Sequence, residues 1–304
     1  MRAAFVKKLT ELAEKDERVY LLTADLGFSV FEDFAKRFPQ RFINCGVAEQ
    51  NMMGVAAGLA LSGKKVYTYS ITPFATMRCF EQIRDDICYQ NLDVKIIGFG
   101  AGLHYGSLGA THLAIEDVAV LRALPNMTVL CPADPVETEE LMEKSYQTAN
   151  PTYLRLCRQS GVKIYDSTPL IEIGKPSVLK DGKDGIIIAS GIETGICLEV
   201  VEELRKIGKE FKLLSFHTLK PINKEELLKE VGAVNPVFAV EEHSVIGGLG
   251  GALAEILAES DWQGKFKIIS LPDAYPLKIG SPEYMRDTFS LTKEKILATI
   301  ISKI

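Results

Sequence analysis

The sequence is short of several things, and each absence excludes a class of protein. No apolar run is long enough to span a membrane, so no membrane partner is expected. The segment after Met1 reads Arg2-Ala3-Ala4-Phe5-Val6-Lys7-Lys8, with Glu11 and Glu14 where a secretory signal would be apolar, and it reads as an amphipathic first helix. There is no basic excess: 35 Lys and Arg stand against 40 Asp and Glu, for a net charge of −5, so no nucleic-acid footprint is expected. The six cysteines form no CxxC pair and several sit inside apolar runs. They read as buried free thiols of a reducing, cytoplasmic compartment rather than as a disulfide framework. Four histidines without close spacing give no zinc signature, so no metal ligand is expected from this chain. Internal repeats and low-complexity tracts are missing, which excludes a solenoid.

What is present is an alternation of short apolar runs with longer helical segments. Strands are predicted at 19–22, 42–43, 66–69, 94–98, 128–131 and 153–156, and helices at 31–37, 49–61, 74–89, 114–123 and 135–148. Such alternation predicts an α/β fold built on a doubly wound, mostly parallel sheet covered on both faces. Asp134-Pro135 predicts a helix start, with Asp134 as N-cap and Pro135 at the first helical position. Around 159–185 the pattern breaks under Gly161, Pro169, Gly174, Pro176, Gly182 and Gly185. This divides the chain into a first domain over 1–165, a linker over 166–185 and a smaller α/β domain over 186–304. The second domain predicts strands at 186–189, 211–214, 237–240 and 266–270, with an irregular stretch at 272–282.

In open α/β sheets, ligands gather at the carboxyl ends of the strands. Those ends here carry Asp25 and Ser29, then Glu49, then Phe74 and Arg78, then His104 and His112, then Arg158. The 100–112 loop holds four glycines and no acid, lysine or arginine, and long loops of this kind are usually functional. It is no phosphate loop: Tyr105 stands where a third glycine is needed and no Walker lysine follows. Between 44 and 60 a run of small residues, among them Gly54, Ala56, Ala57 and Gly58, makes a helix able to approach a sheet or another helix closely. One acid, Glu49, stands near its start.

Taken together, Thr-Ala-Asp-Leu (23–26), Gly-Val-Ala-Glu-Gln-Asn-Met (46–52), Gly-Ala-Thr-His (109–112), Ile-Glu-Asp (115–117), Leu-Pro-Asn-Met (124–127), Pro-Ala-Asp (132–134), Arg-Gln (158–159) and Glu-Glu-His-Ser (241–244) followed by Gly-Gly-Leu-Gly (247–250) resemble the second half of the transketolase family of thiamine-diphosphate enzymes. Each motif is weak alone; their order and spacing are specific. The resemblance implies a thiamine-diphosphate-binding fold, the pyrimidine-binding domain, followed by the transketolase C-terminal domain. It gives Glu49 the role of hydrogen-bonding the cofactor aminopyrimidine, so that the cofactor's own imino nitrogen can take the proton from its reactive carbon. That role asks for a carboxyl able to share a proton in a dry pocket, whereas the first turn of a helix favours the charged form. By the same resemblance Phe74 stacks on the pyrimidine with help from Tyr69, Asp25 lies near the cofactor, and His112 and His104 act on substrate as acid or base. Ser29, Arg78, Arg158 and His112 contact a sugar phosphate.

The family's Gly-Asp-Gly motif with its later asparagine, which holds the diphosphate and Mg²⁺, is not in this sequence; Asp181-Gly182-Lys183-Asp184-Gly185 reads as a turn. The resemblance therefore implies a partner, an N-terminal transketolase subunit carrying the diphosphate and Mg²⁺ site, and a heterotetramer with two copies of each chain. The leading expectation is a two-carbon ketol transfer between sugar phosphates. A 1-deoxyxylulose-5-phosphate-synthase-like subunit, a 2-oxo-acid dehydrogenase beta-type subunit and a non-catalytic scaffold are the alternatives. The 241–244 stretch with the glycines after it suggests a strand end and helix start able to bind an anion.

Overall fold

The computed structural model describes residues 1–157, 163–165 and 168–304. Among the described residues twelve strands fall in chain order at Val19–Thr23 (β1), Phe42–Asn44 (β2), Lys65–Ile71 (β3), Val94–Phe99 (β4), Thr128–Leu130 (β5), Thr152–Leu156 (β6), Ser177–Lys180 (β7), Gly185–Ala189 (β8), Phe211–Ser215 (β9), Thr218–Lys220 (β10), Val237–Ser244 (β11) and Phe266–Leu271 (β12). They build a seven-stranded sheet in the order β10-β5-β6-β4-β3-β1-β2 and a five-stranded sheet in the order β12-β11-β8-β9-β7. Every pairing is parallel except β10 with β5 and β7 with β9. The doubly wound, mostly parallel sheet expected from the alternation is therefore present. β4, β6 and β8 are buried along their whole length, as parallel strands covered on both faces must be.

The order places β1 between β2 and β3, so the chain reverses its direction of winding at β1. The crevice beyond the carboxyl ends of β1 and β3 is the topological switch point, where such sheets bind ligands. The Glu49–Leu61 helix, entered through Gly46 at φ +72°, packs Met52, Met53, Ala56 and Ala57 onto the sheet. Gly54 and Gly58 face outward, with no atom within 4 Å of where a Cβ would stand. With exposed Val47 and Leu61 they leave an open stripe along this helix.

Four local expectations are corrected. The single helix expected over 74–89 is broken into Thr72–Thr76, Phe80–Gln82 and a π-helical turn at Ile83–Cys88. Thr76 Oγ1 donates to Thr72 O at 2.7 Å and the Cys79 thiol leans on the Phe74 and Ala75 carbonyls, side-chain bonds that compete with regular winding. The helix expected over 114–123 is confined to Asp117–Arg122, because Ala114 bridges back to Gly102. β7 lies inside the stretch read as linker and pairs antiparallel with β9. β10, missed altogether, comes from the C-terminal half and closes the edge of the first sheet; three residues before a proline carry no periodicity. Beyond the irregular stretch a further helix, Pro282–Thr288, is capped by Ser281. The predicted cap at Asp134 is observed, its Oδ1 accepting Glu137 N at 2.8 Å.

Among the described residues three apolar clusters hold the fold: one covers a face of the first sheet and runs on into the C-terminal unit through Ile186, Leu214, Val237 and Leu253, one covers the other face of the first sheet, and the third lies in the C-terminal unit. Leu103, Leu113 and Ile115, from the loop after β4, belong to the third cluster, beside Ile187, Val240 and Met285. Each such side chain contributes about 1.5–3 kcal/mol by burial. Among the described residues no helix is long and apolar enough to cross a membrane.

Candidate active site

The exits of β1 and β2 are tied by one side chain. Asn44 Oδ1 accepts the N–H groups of Asp25 and Gly46, each at 3.0 Å, and Asn44 Nδ2 donates to Asp25 Oδ1 at 3.0 Å. This holds Asp25 at φ +53° on the rim and fixes the turn that launches Glu49. Asp25 and Asn44 line a small cleft of about 160 Å³ with Thr23, Phe28 and Phe31.

Glu49 opens its helix, yet its side chain is only 2% exposed. Ser70, at the end of β3, donates its hydroxyl to Glu49 Oε1 at 3.1 Å. Arg78 donates Nη1 to Oε2 at 2.9 Å. The same guanidinium lies 4.0 Å from the centroid of the Phe74 ring. Phe74 in turn meets His112 edge-on, with ring centroids 5.1 Å apart and planes at 74°. His112 Nδ1 is 3.0 Å from Thr111 Oγ1, and Tyr105 lies 6.3 Å from the histidine ring. Glu49, Phe74, Arg78 and His112 are thus joined in one continuous set of contacts across three strand ends. His104, on the same loop as His112, is buried.

Other expected site residues stand elsewhere. Tyr69 is a correction to the expected stacking pair. Successive side chains of a strand alternate faces, so with Ser70 turned toward Glu49, Tyr69 points to the other side of β3. There it packs against Phe5, Phe31 and Phe99 at centroid distances of 5.9, 4.8 and 5.6 Å. Burial pushes its phenol well above the usual range. Ser29 is exposed at φ +60°, its N–H donating to Glu32 Oε1 at 2.5 Å, and it opens on a separate cleft beside Arg2, Lys7 and Arg37. Arg158 lies outside the described residues.

Ser70 stands at the third strand's end in the sequence but is given no role there, although the alternation of β3 and the proximity of the Glu49 turn were the signal for one. The suggested anion site after Glu241 is filled by the chain itself: Glu241 accepts Leu249 N at 2.6 Å and Gly250 N at 2.8 Å, so a carboxylate already caps that helix. Among the described residues no cluster of three or more His, Cys, Asp or Glu side chains is placed to hold a metal.

The buried carboxylate and the half-buried Phe74 ring beside it share one visitor, the flat Arg78 cation that stacks on Phe74 while donating to Glu49. A planar aminopyrimidine would use the same two contacts, so the donor set fits that half of thiamine diphosphate. Comparison with known proteins points the same way. Residues 1–162 match the model of the transketolase pyrimidine-binding domain, and residues 174–296 match that of the transketolase C-terminal domain. The chain belongs to the transketolase family.

Several of its relatives are named as sections or subunits of transketolases. It is 39% identical to a protein named putative transketolase C-terminal section from Methanocaldococcus jannaschii, over 100% of this chain and 96% of that one. It is 36% identical to the 6-deoxy-6-sulfo-D-fructose transketolase subunit SqwH of a Clostridium species, over 98% of this chain and 92% of that one. It is 35% identical to a subunit of the apulose-4-phosphate transketolase of Phocaeicola vulgatus, over 99% of this chain and 96% of that one. A solved structure described as a split gene transketolase, inactive β4 tetramer, superposes with a TM-score of 0.91 at 39% identity, covering 99% of this chain and 97% of that one.

Proposed function

We propose that this chain is the C-terminal subunit of a thiamine-diphosphate-dependent transketolase that moves a two-carbon ketol unit between sugar phosphates in the cytoplasm. Residues 1–165 serve as its pyrimidine-binding domain and residues 186–304 as its C-terminal domain. The observation that carries this reading is the Glu49–Arg78–Phe74 arrangement: a buried carboxylate and an aromatic face that together suit an aminopyrimidine. Bound thiamine diphosphate supplies the carbon nucleophile and the electron sink for the transferred fragment. Glu49 holds or shares a proton at the ring nitrogen it faces, and its near-complete burial keeps water from competing for that bond. Phe74 sets the plane of the ring. Ser70 fixes the Glu49 rotamer through Oε1, leaving Oε2 as the exchangeable position. Arg78 is released from Oε2 when the ring enters, and it then faces the substrate as a cation suited to phosphate oxygens. His112, against the edge of Phe74, and His104, on the same loop, hold and move protons on the substrate hydroxyls. Asp25, held on the rim by Asn44, serves the cofactor or substrate there; by the family pattern Arg158 binds the sugar phosphate, whereas Ser29 opens on a separate cleft.

The site needs a second chain. This sequence has no Gly-Asp-Gly motif, so the diphosphate and Mg²⁺ are held mainly by an N-terminal transketolase subunit in a heterotetramer with two copies of each chain. The open helix face that carries Gly54 and Gly58, beside Glu49, is suited to close approach by that partner. The full-length likeness to proteins named transketolase subunits favours ketol transfer. The likeness to 1-deoxy-D-xylulose-5-phosphate synthases, such as that of Shouchella clausii at 33% identity, covers 48% of those longer chains, and we do not favour that activity. A silent scaffold would have no use for the Glu49–Phe74–His112 contacts. The reading is tested by combining the purified chain with an N-terminal partner and offering xylulose 5-phosphate, pyruvate or a branched 2-oxo acid as donor. Turnover with xylulose 5-phosphate, and only in the mixture, is expected. Turnover with pyruvate alone, or tight cofactor binding by this chain without a partner, would reject it.

A further inference from the structure

The loop after β4 is held at two ends by two different parts of the molecule. At its start Gly100 N and Ala101 N donate to Leu156 O at 2.8 and 3.1 Å, within the first sheet. Two residues later the loop is gripped by the C-terminal unit. Leu103 N donates to Glu242 Oε1 at 2.6 Å, and Arg286 Nε donates to Glu242 Oε2 at 2.5 Å. Glu242 is 3% exposed and Arg286 7%, so neither bond is diluted by solvent. The approach is close enough to dictate the sequence: Gly102 sits at φ +62°, and a Cβ there would lie 2.2 Å from Glu242 Oε1.

The return limb of the loop is held by the same strand. Ser244 N donates to Ile115 O at 2.8 Å, and Arg155 bridges Ala114 O at 2.7 Å to Glu242 O at 3.0 Å. Gly280 N adds a bond to Gly106 O at 3.2 Å. A side chain that binds a backbone N–H places backbone, and the residue after Leu103 is His104.

We propose that Glu242, braced by Arg286, is a positioning residue for the 100–112 loop and through it for His104 and His112. The C-terminal domain then acts on the reaction directly, by setting where the acid and base groups stand, and not through assembly alone. Misplacement of such groups by about 1 Å is enough to slow a reaction on the order of a hundredfold. The inference rests on the reading of His104 and His112 as groups that act on substrate.

The test uses Glu242→Gln and Glu242→Asp in the full chain. Gln keeps the shape of the side chain and an acceptor for Leu103 N but removes the charge that Arg286 faces, leaving it only the neighbouring carboxyl of Glu193, 3.6 Å from Arg286 Nε; should Gln fail to fold, the Asp variant carries the test. Asp keeps the charge but is one methylene too short to hold both partners. Hydrogen exchange on the chain alone reads the clamp: faster exchange at the amides of 103–112, with β4 and β8 unchanged, is expected. In the two-chain complex, kcat is expected to fall at least tenfold for Asp, with a displaced pH profile and cofactor Kd within twofold. Unchanged exchange at 103–112 overturns the clamp. Faster exchange with unchanged kcat and pH profile overturns the positioning role. His104→Ala and His112→Ala in the same complex separate the two readings: if both retain full turnover, the assignment of the loop fails and the positioning role fails with it.

Discussion

Replacing Arg78 by Met keeps a side chain of similar reach over Phe74 and removes the cation facing Glu49. Breaking a fully buried ion pair costs about 3–5 kcal/mol, whereas an exposed pair contributes about 0–1 kcal/mol. Here the carboxylate is 2% exposed and the guanidinium side chain 43% exposed, so solvent screens one partner only. The expected loss lies between the two limits, about 1–3 kcal/mol, with Ser70 left as the single donor to Glu49. At about 2–4 °C per kcal/mol for a chain of this order, thermal unfolding at pH 7.5 should move down by roughly 2–12 °C. The double variant Glu49→Gln/Arg78→Met has no stranded charge and should recover most of that loss, which gives a coupling free energy of about 1–2 kcal/mol in a double-mutant cycle. Calorimetry or urea unfolding of the four proteins measures it. An additive cycle, or an Arg78→Met variant within about 0.5 kcal/mol of wild type, would refute the claim that Arg78 compensates a buried carboxylate.

Two further outcomes follow from named contacts. Glu193 is fully buried, and burial, followed by the neighbouring charge of Glu242, pushes its carboxyl well above the usual range. A folded acid that keeps its proton while the unfolded chain releases one loses stability as pH rises above the unfolded carboxylate value, about 4.5. Glu193→Gln should therefore match wild type near pH 4 and unfold at higher urea by pH 8; equal midpoints at both pH values would contradict this. Phe74→Ala should weaken thiamine diphosphate binding by the two-chain complex at least tenfold, whereas Tyr69→Phe should leave that Kd within twofold. A larger effect at Tyr69 than at Phe74 would place the cofactor on the wrong face of β3.

The fold was legible because its central strands are buried on both faces and read as apolar runs, Gly185–Ala189 unbroken and Val94–Phe99 interrupted only by Lys95. The helix of Glu49 was legible to its last residue, since Gly46 opens its approach and its small side chains leave one reading. What escaped depended on distant partners. β10 acquires its strand character only by pairing with β5, about ninety residues earlier in the chain. Tyr69 and Ser70 are neighbours in sequence on opposite faces, and the resemblance alone did not say which face meets Glu49. The Arg78–Glu49 pair spans 29 residues and Glu242–Leu103 spans 139, separations at which no periodicity carries information. The residues that hold the site in place were therefore harder to read than those expected to act in it.

The central claim is that Glu49 is one half of a cofactor site that a second chain completes. Turnover by the reconstituted complex carrying Glu49→Gln, at saturating thiamine diphosphate and Mg²⁺ and with assembly verified by sedimentation, tests it most directly. A fall of a hundredfold or more with the assembly intact is expected, since the variant retains the burial and the Ser70 contact but loses the proton exchange along with the charge that faces Arg78. Turnover within about tenfold of wild type would contradict it.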